Sequence, residues 1–114
     1  MTAVYSMTRV ARGPVLFVAG QTPATPDGEV PPGALAQTRV VLDKIQVLLA
    51  EHGVGWPEVA KLTYYLRDLA DLDTVREVLL DRLPEPRPAS TLVEVSGLVD
   101  PRFLIEIDAV ADLG

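Results

Sequence analysis

The sequence predicts an α+β domain in which one β-sheet is covered on a single face by two helices. Three observations predict this class: helical spacing of apolar residues in two segments, apolar–polar alternation in several others, and turn-forming residues between them. The chain has 114 residues, which suits one domain with one core. The predicted order of elements is ββαβαββ, in a single domain spanning residues 1–114.

Two strands are predicted ahead of the first helix. Residues 3–10, "AVYSMTRV", alternate weakly, and residues 15–20, "VLFVAG", form a continuous β-branched and aromatic run typical of a buried strand. Gly13 and Pro14 between them predict a turn, so the two segments are expected to form a hairpin. Residues 21–33 contain four prolines and two glycines and are predicted to form a loop.

The rest of the chain divides into two helices and three strands. Helices are predicted over residues 34–53 and 71–83, because apolar residues recur there every three or four positions. Strands are predicted over residues 59–68, 90–98 and 102–112, which alternate. In the last strand one face is expected to carry Ile105, Ile107 and Ala109, and the other Leu104, Glu106, Asp108 and Val110.

Helices on one side leave the other face of the sheet without a cover. Four apolar residues are expected on this open face beside the acidic ones: Leu92, Leu98, Leu104 and Val110. Apolar surface of this extent is usually buried against a partner, and only 23% of the residues are charged. The sequence therefore predicts a homo-oligomer in which the sheets of several subunits pack together.

Composition and charge exclude several classes of function. The net charge of −6 would repel phosphate backbones, so nucleic-acid binding is not expected. Without a basic cluster, a signal-peptide pattern or a long apolar run, the chain is expected to be cytoplasmic and not to bind membranes. It contains no cysteine and one histidine, His52, so neither a cysteine-ligated nor a multi-histidine metal site is expected.

Three segments together resemble the Rid family, the RidA/YjgF reactive-intermediate deaminases once named translation-inhibiting endoribonucleases. They are "LFVAGQTP" (16–23), "VAKLTYYLRDLADLDTV" (59–75) and "RPASTLVEVSGL" (87–98) followed by "LIEIDAVA" (104–111). The resemblance covers nearly the whole chain. It implies a chorismate-mutase-like homotrimer with a ligand pocket at each subunit interface. It also implies hydrolysis of 2-aminoacrylate-type enamines or imines to a keto acid and ammonia.

The chain departs from the family pattern at one position of the implied pocket. Active deaminases carry an arginine at the start of the penultimate strand, where it clamps the substrate carboxylate. Aligning the "VEV" of residues 93–95 with the family motif puts Ser90 at that position. A serine hydroxyl cannot form a bidentate, charge-assisted bond to a carboxylate, and losing such a pairing costs about 2–3 kcal/mol. The resemblance therefore implies a divergent member without the usual clamp.

Two other arginines are candidates for holding the ligand. Arg87 lies three residues before Ser90 and would reach the pocket if the turn folds over it; the alternative is a solvated loop arginine. Arg76 aligns with a position on the second helix that is near the pocket in the family. Its alternative is a surface arginine paired with Asp73 or Asp81.

Four further residues complete the predicted site. Glu106 aligns with the family's water-positioning glutamate, and a carboxylate in an apolar strand is suited to act as a general base; the alternative is a polar ladder with Glu94. Gly20 matches the family's "GQ" and would bind ligand through its N–H, or else mark a β-bulge. Tyr5 matches an N-terminal pocket tyrosine, or else is loosely packed. Leu92 is the one apolar side chain predicted to contact the ligand.

Three functions follow from these observations. The first is a protein that binds a small metabolite in an intersubunit cleft and hydrolyses an imine or enamine to a carbonyl compound and ammonia. The second is a non-catalytic relative that binds a metabolite or a partner protein through the same cleft, which the missing arginine favours. The third is a ribonuclease, after the older family name, which the acidic charge and the single histidine disfavour.

Overall fold

The computed structural model describes residues 3–114, which form one four-stranded sheet with two helices on one face. The elements are β1 (Val15–Gln21), α1 (Ala34–Ala50), β2 (Val59–Leu66), α2 (Leu72–Arg82), β3 (Ala89–Glu94) and β4 (Ile105–Asp112). The strand order is β1-β4-β2-β3; β4 is antiparallel to both its neighbours, and β3 is parallel to β2. The predicted α+β class is confirmed.

Helix α1 packs on the sheet through the stripe of apolar residues that predicted it. Val41, Leu42, Ile45 and Leu49 are fully buried and join side chains of α2, β2 and β4 in one core. The helix ends at Ala50, before the predicted end, and the chain then turns through Gly53 with φ 73°, a conformation that favours glycine. No helix within residues 3–114 is both long enough and apolar enough to span a bilayer.

The strand faces follow the predicted alternation. On β4, Ile105, Ile107, Ala109 and Ala111 are buried toward the helices, so Glu106, Asp108 and Val110 lie on the opposite, open face. The alternation predicted for β4 is confirmed.

The predicted first strand, residues 3–10, does not form, so the predicted hairpin is wrong and the observed order is βαβαββ. This segment meets the sheet at a single bridge, between Ser6 and Ala89. It is otherwise held by a side chain, since the Arg9 guanidinium donates to the carbonyl oxygen of Pro86 at 2.9 Å. The weak alternation of residues 3–10 therefore reflects an extended segment that is anchored to the edge of the sheet but is not paired along its length.

The prediction for the open face was wrong for Leu92. Leu92 pairs in register with Tyr64, which is buried, and Leu92 itself packs against the core on the helix side. Leu98 and Leu104 lie just outside the strands. Val110 is on the open face, as predicted.

The open face is nevertheless apolar along its β1 side and at β3. Phe17 is 77% exposed and lies beside Val110 in the β1–β4 ladder. Val15 and Val93 are each about two-fifths exposed, at 39% and 40%. Side chains of this size are seldom left in water together, so the prediction that copies of the chain cover this face still stands as a prediction.

Gln37 ties α1 to two irregular segments and gives a stability prediction. Its side chain is 2% exposed; its amide nitrogen donates to Pro31 and Arg102, and its oxygen accepts from the Leu104 amide at 2.8 Å. Gln37→Met would leave three backbone groups unpaired, so we expect the free energy of unfolding to fall by roughly 2–4 kcal/mol in chemical denaturation at fixed protein concentration. The exposed Arg39 of the same helix supplies the control: Arg39→Met should cost under about 1 kcal/mol.

Candidate functional site

Glu106 and Gly20 lie against each other where β4 meets the end of β1. An ideal β-carbon built on Gly20 would stand 2.9 Å from Cδ of Glu106 and closer still to its Oε2. The Glu106 side chain therefore occupies the space that any other residue at position 20 would fill. The sequence predicted that Gly20 lets a ligand approach the backbone; within one chain it is the Glu106 carboxylate that approaches.

A register shift in the β1–β4 ladder accompanies this contact. Pairing is regular to Val18 and resumes at Gln21, so the bulge considered for Gly20 is present together with the contact. The shift bends β1 locally at the point where the Glu106 carboxylate rests.

Two polar residues lie next to Glu106 on the open face. Tyr65 pairs with Glu106 across the β2–β4 ladder, and its hydroxyl donates to Asp108 Oδ2 at 2.8 Å. This hydrogen bond to Asp108, followed by partial burial and the negative charges of Asp108 and Glu106, raises the pKa of the Tyr65 phenol. We call Gly20, Tyr65, Glu106 and Asp108 the glutamate cluster. It places two carboxylates, which can accept hydrogen bonds, and one phenol on the open face of the sheet.

A second group of predicted residues meets at the start of β3. Tyr5, Ser6 and Arg87 line one open cavity; the Ser6 amide donates to the Pro88 carbonyl at 3.0 Å, and its hydroxyl donates to the Arg87 carbonyl. Ser90 follows two residues after Pro88. We call Tyr5, Ser6, Arg87 and Ser90 the edge cluster, because β3 is an edge strand.

Arg87 is not the solvated loop arginine considered as its alternative. Its side chain is 14% exposed, and it pairs with the largely exposed Glu85 at 3.0 Å. Its buried Nε has no hydrogen-bond partner among residues 3–114. Arg87 thus lines the cavity beside Tyr5, with an exposed carboxylate as its only ionic partner in the described chain.

Arg76 lies on α2 beside Tyr64 and does not pair with Asp73 or Asp81 within the described residues. Burial raises the pKa of Tyr64, the positive charge of Arg76 opposes that rise, and Tyr5 adds to it. Like Arg87, Arg76 has a buried Nε without a partner in residues 3–114. Arg76 is close enough to Tyr64 for its charge to act on that phenol, and it lines a cavity with Asp73, Glu77 and Leu80 that is separate from the cavity at Tyr5 and Arg87.

Ser90 and Glu106 point to opposite faces of the sheet. Ser90 pairs in register with Leu62, which faces the helices and is fully buried, whereas Glu106 is on the open face. Leu62 also pairs with Ala109, which lies three residues from Glu106 on β4. From strand dimensions alone, the Cα atoms of Ser90 and Glu106 are therefore about 14 Å apart. One chain therefore does not unite the predicted site; it carries two separate clusters.

The polar ladder considered for Glu106 and Glu94 is absent from the described residues. Glu94 pairs in register with Leu66, and its carboxylate accepts from the Leu69 amide at 3.0 Å. The Glu94 carboxylate therefore pairs with a backbone amide of the short turn before α2 and does not interact with Glu106.

Sequence reasoning put Asp108 on the same strand face as Glu106 but gave neither Asp108 nor Tyr65 a part in the site. Their signal was the alternation itself, since each is the polar neighbour of a buried residue on a central strand. Glu85 was also missed, in a proline-rich turn whose fold the sequence does not specify.

An α+β chain with this fold has the architecture of solved structures of Rid-family proteins. The family model described as Endoribonuclease L-PSP matches residues 1–113. The chain belongs to this family, which is also named Rid or YjgF.

Individual relatives extend the comparison. A RutC family protein of Pyrococcus abyssi is 41% identical over 101 residues, covering 87% of this chain and 79% of that protein. The 3-aminoacrylate deaminase RutC of Acinetobacter baylyi is 38% identical over 99 residues, covering 85% of this chain and 78% of that protein. The crystal structure of Escherichia coli TdcF with bound serine matches with a TM-score of 0.81 and 28% identity, covering 98% of this chain and 90% of that one.

Proposed function

We propose that this chain binds a small metabolite in a cleft between subunits of a homotrimer and hydrolyses an imine or enamine to a carbonyl compound and ammonia. An enamine first takes a proton from solvent on carbon to become the iminium ion. Water then adds to the iminium carbon while the Glu106 carboxylate accepts one of its protons. Glu106 passes that proton to nitrogen, the carbon–nitrogen bond breaks, and the remaining hydroxyl proton returns to solvent, which leaves the carbonyl compound and ammonia.

The observation that carries this proposal is the contact between Glu106 and Gly20. The Glu106 carboxylate lies in the space left by the missing side chain of Gly20, and a defined position is what a water-orienting base requires. Tyr65, paired with Glu106 across the ladder, supplies a neighbouring hydroxyl, and the raised pKa of its phenol favours the neutral form. The same site needs neither a metal nor an organic cofactor.

The separation of the two clusters supports a cleft between subunits. Ser90 and Glu106 lie on opposite faces of one sheet, so they can line a single pocket only if different copies of the chain supply them. The exposed apolar residues of the open face, Phe17 among them, give those copies a reason to associate. In this arrangement the edge cluster of one subunit holds the ligand, with Leu92 behind it, opposite the glutamate cluster of the next.

Two relatives support a small nitrogen-containing metabolite as the ligand. One is a 3-aminoacrylate deaminase, and another was crystallised with serine. Both molecules carry an amino group and a carboxylate. Here Ser90 stands in the usual clamp position, so Arg87 and Arg76, whose Nε atoms lack partners among residues 3–114, take over the carboxylate.

Ammonia release tests the reaction directly. The chain should release ammonia from freshly generated 2-aminoacrylate, 3-aminoacrylate or a cyclic imine faster than buffer does. Glu106→Gln keeps the shape of the side chain and removes its basicity, so kcat should fall by about 10²–10³-fold with little change in KM. Equal rates for the two proteins would refute the role of Glu106.

Ser90 also favours a second function, a non-catalytic protein that binds a metabolite or a partner through the same cleft. Without the usual arginine, binding could persist where turnover does not. If this second function is correct, a small amino or keto acid should raise the melting temperature of the protein. The protein should then release no ammonia from any of the three substrates.

The oligomer can be tested at Phe17, which is 77% exposed on the β1 side of the open face. Phe17→Asp should weaken self-association by at least about tenfold per interface, since burying a phenylalanine contributes about 1.5–3 kcal/mol. Sedimentation velocity should show a trimer for the unaltered protein and smaller species for the variant. Val99→Asp, at an 85% exposed loop position, is the matched control and should remain trimeric. A well-folded monomer of the unaltered protein at micromolar concentration would refute the intersubunit cleft.

A further inference from the structure

A cavity of about 360 Å³ lies between α1 and the loop that follows β1. Its walls are mainly apolar, with Val40, Val47 and Leu48 on the helix side and Pro26 on the loop side. Two charged residues line it, the cationic Lys44 and the anionic Asp43, and Asp43 pairs with Arg82. The volume falls at the lower end of the range for small-molecule sites. The cavity belongs to neither the glutamate cluster nor the edge cluster.

The loop wall of this cavity is fixed by hydrogen bonds. Within the loop, the Thr25 amide donates to the Glu29 carbonyl at 2.7 Å. From the helix, the Lys44 ammonium donates to the carbonyl oxygens of Thr22 at 2.8 Å and Ala24 at 2.9 Å. A cavity whose two walls are tied together in this way is formed before a ligand arrives, which lowers the entropy lost on binding.

Lys44 lacks a negative partner. An ammonium has three donors, and the two carbonyls use two of them. Partial burial lowers the pKa of Lys44, because its charged form is incompletely solvated. Its sequence neighbour Asp43 pairs instead with Arg82 at 2.9 Å, and no carboxylate among residues 3–114 forms an ion pair with Lys44.

We propose that this cavity binds a small amphiphilic carboxylate. Its carboxylate accepts the third hydrogen bond of Lys44 and supplies the missing negative charge, in a charge-assisted bond that is stronger than a neutral one. Its hydrocarbon body lies against Val40, Val47 and Leu48 and covers Val47, which is 61% exposed. The inference does not depend on deaminase activity, because it uses none of the residues assigned to that reaction.

Octanoate and octanol, which share a hydrocarbon chain, provide the test. Calorimetry on the full chain should give an affinity for octanoate at least about tenfold higher than for octanol, the amount expected from one charge-assisted bond. In ¹H–¹⁵N spectra, octanoate should shift the amides of residues 22–29 and 40–48. Lys44→Met keeps the apolar stem and removes the charge, so the two probes should then bind with equal affinity.

A second variant separates binding from folding, because Lys44→Met also removes the two bonds to the loop. Val47→Asp alters an exposed residue, leaves those bonds intact and puts a carboxylate in the apolar wall, so octanoate affinity should fall at least about tenfold. Leu35→Asp is the matched control: Leu35 is 43% exposed on the same helix, about 18 Å away along its axis, and its replacement should leave octanoate affinity unchanged.

Three results would overturn the proposal. They are equal affinity of the unaltered protein for octanoate and octanol, an unchanged affinity in Val47→Asp, and amide shifts confined to residues around Glu106 and Ser90. The last result would assign octanoate to the candidate deaminase site. Loss of ammonia release from the substrates above would leave the inference standing, so the two proposals fail separately.

Discussion

Replacing Gly20 with alanine is expected to lower imine hydrolysis by about 10²–10³-fold, nearly as much as removing the Glu106 carboxylate itself. The added β-carbon would stand 2.9 Å from Cδ of Glu106 and would overlap its Oε2, so the carboxylate must leave its position. The backbone at Gly20 is not left-handed, so alanine introduces no strain of its own there. Steady-state ammonia release and thermal unfolding, measured on the same preparation, separate lost activity from lost stability.

A double variant makes this prediction specific. If Gly20→Ala acts by displacing Glu106, adding it to Glu106→Gln should cause little further loss, since both changes remove the same function. Gly97→Ala is the matched control, because a β-carbon at Gly97 meets nothing within 4 Å and should leave the rate unchanged. A multiplicative loss in the double variant would show that Gly20 acts by some route other than Glu106.

Ser90→Arg is expected to raise kcat/KM for 2-aminoacrylate by about 10–100-fold, mainly through KM. A guanidinium can bind a carboxylate with two charge-assisted bonds, and bonds of this kind contribute about 1.5–3 kcal/mol. The edge position of β3 and the partial exposure of Ser90 leave room for the longer side chain. Initial rates over a range of substrate concentrations separate KM from kcat.

Val99→Arg provides the control for Ser90→Arg. Val99 is 85% exposed in the loop between β3 and β4, outside both clusters. An arginine there adds the same charge to the protein without reaching the edge cluster, and it should give no gain. Equal gains from the two variants would attribute the effect to overall charge, and no gain from Ser90→Arg in an intact trimer would refute the assignment of the pocket.

Most of the fold could be predicted because its elements are amphipathic. The stripe of Leu42, Ile45 and Leu49 on α1 and the alternation of Ile105 and Ile107 on β4 each correspond to a buried face. Periodicity reports which residues share a face, but not which face turns toward the helices. Leu92 was assigned to the wrong side for that reason, since its orientation depends on its register with β2.

The strand predicted at residues 3–10 failed for a different reason. An extended segment and a paired strand have the same local pattern, and only the position of a neighbouring edge distinguishes them. Here one bridge at Ser6 and the side chain of Arg9 hold the segment. These contacts join residues about eighty positions apart in the chain. Alternation within a short segment gives no information about such distant partners.

The candidate site was predictable in composition but not in arrangement. Gly20 and Glu106 were each chosen from family motifs, and their direct contact depends on the pairing of β1 with β4. The opposite orientations of Ser90 and Glu106 depend on the strand order as well. Both are long-range properties of the sheet.

The central place of β4 in the sheet has a consequence for biosynthesis. It is the last strand in sequence, yet β1 and β2 are each paired to it and not to one another. While residues 105–112 are still inside the ribosome, the emerged part of the chain has only the β2–β3 pair to build on, and β1 has no partner. The nascent polypeptide must therefore remain open, and in reach of chaperones, until translation has passed this strand.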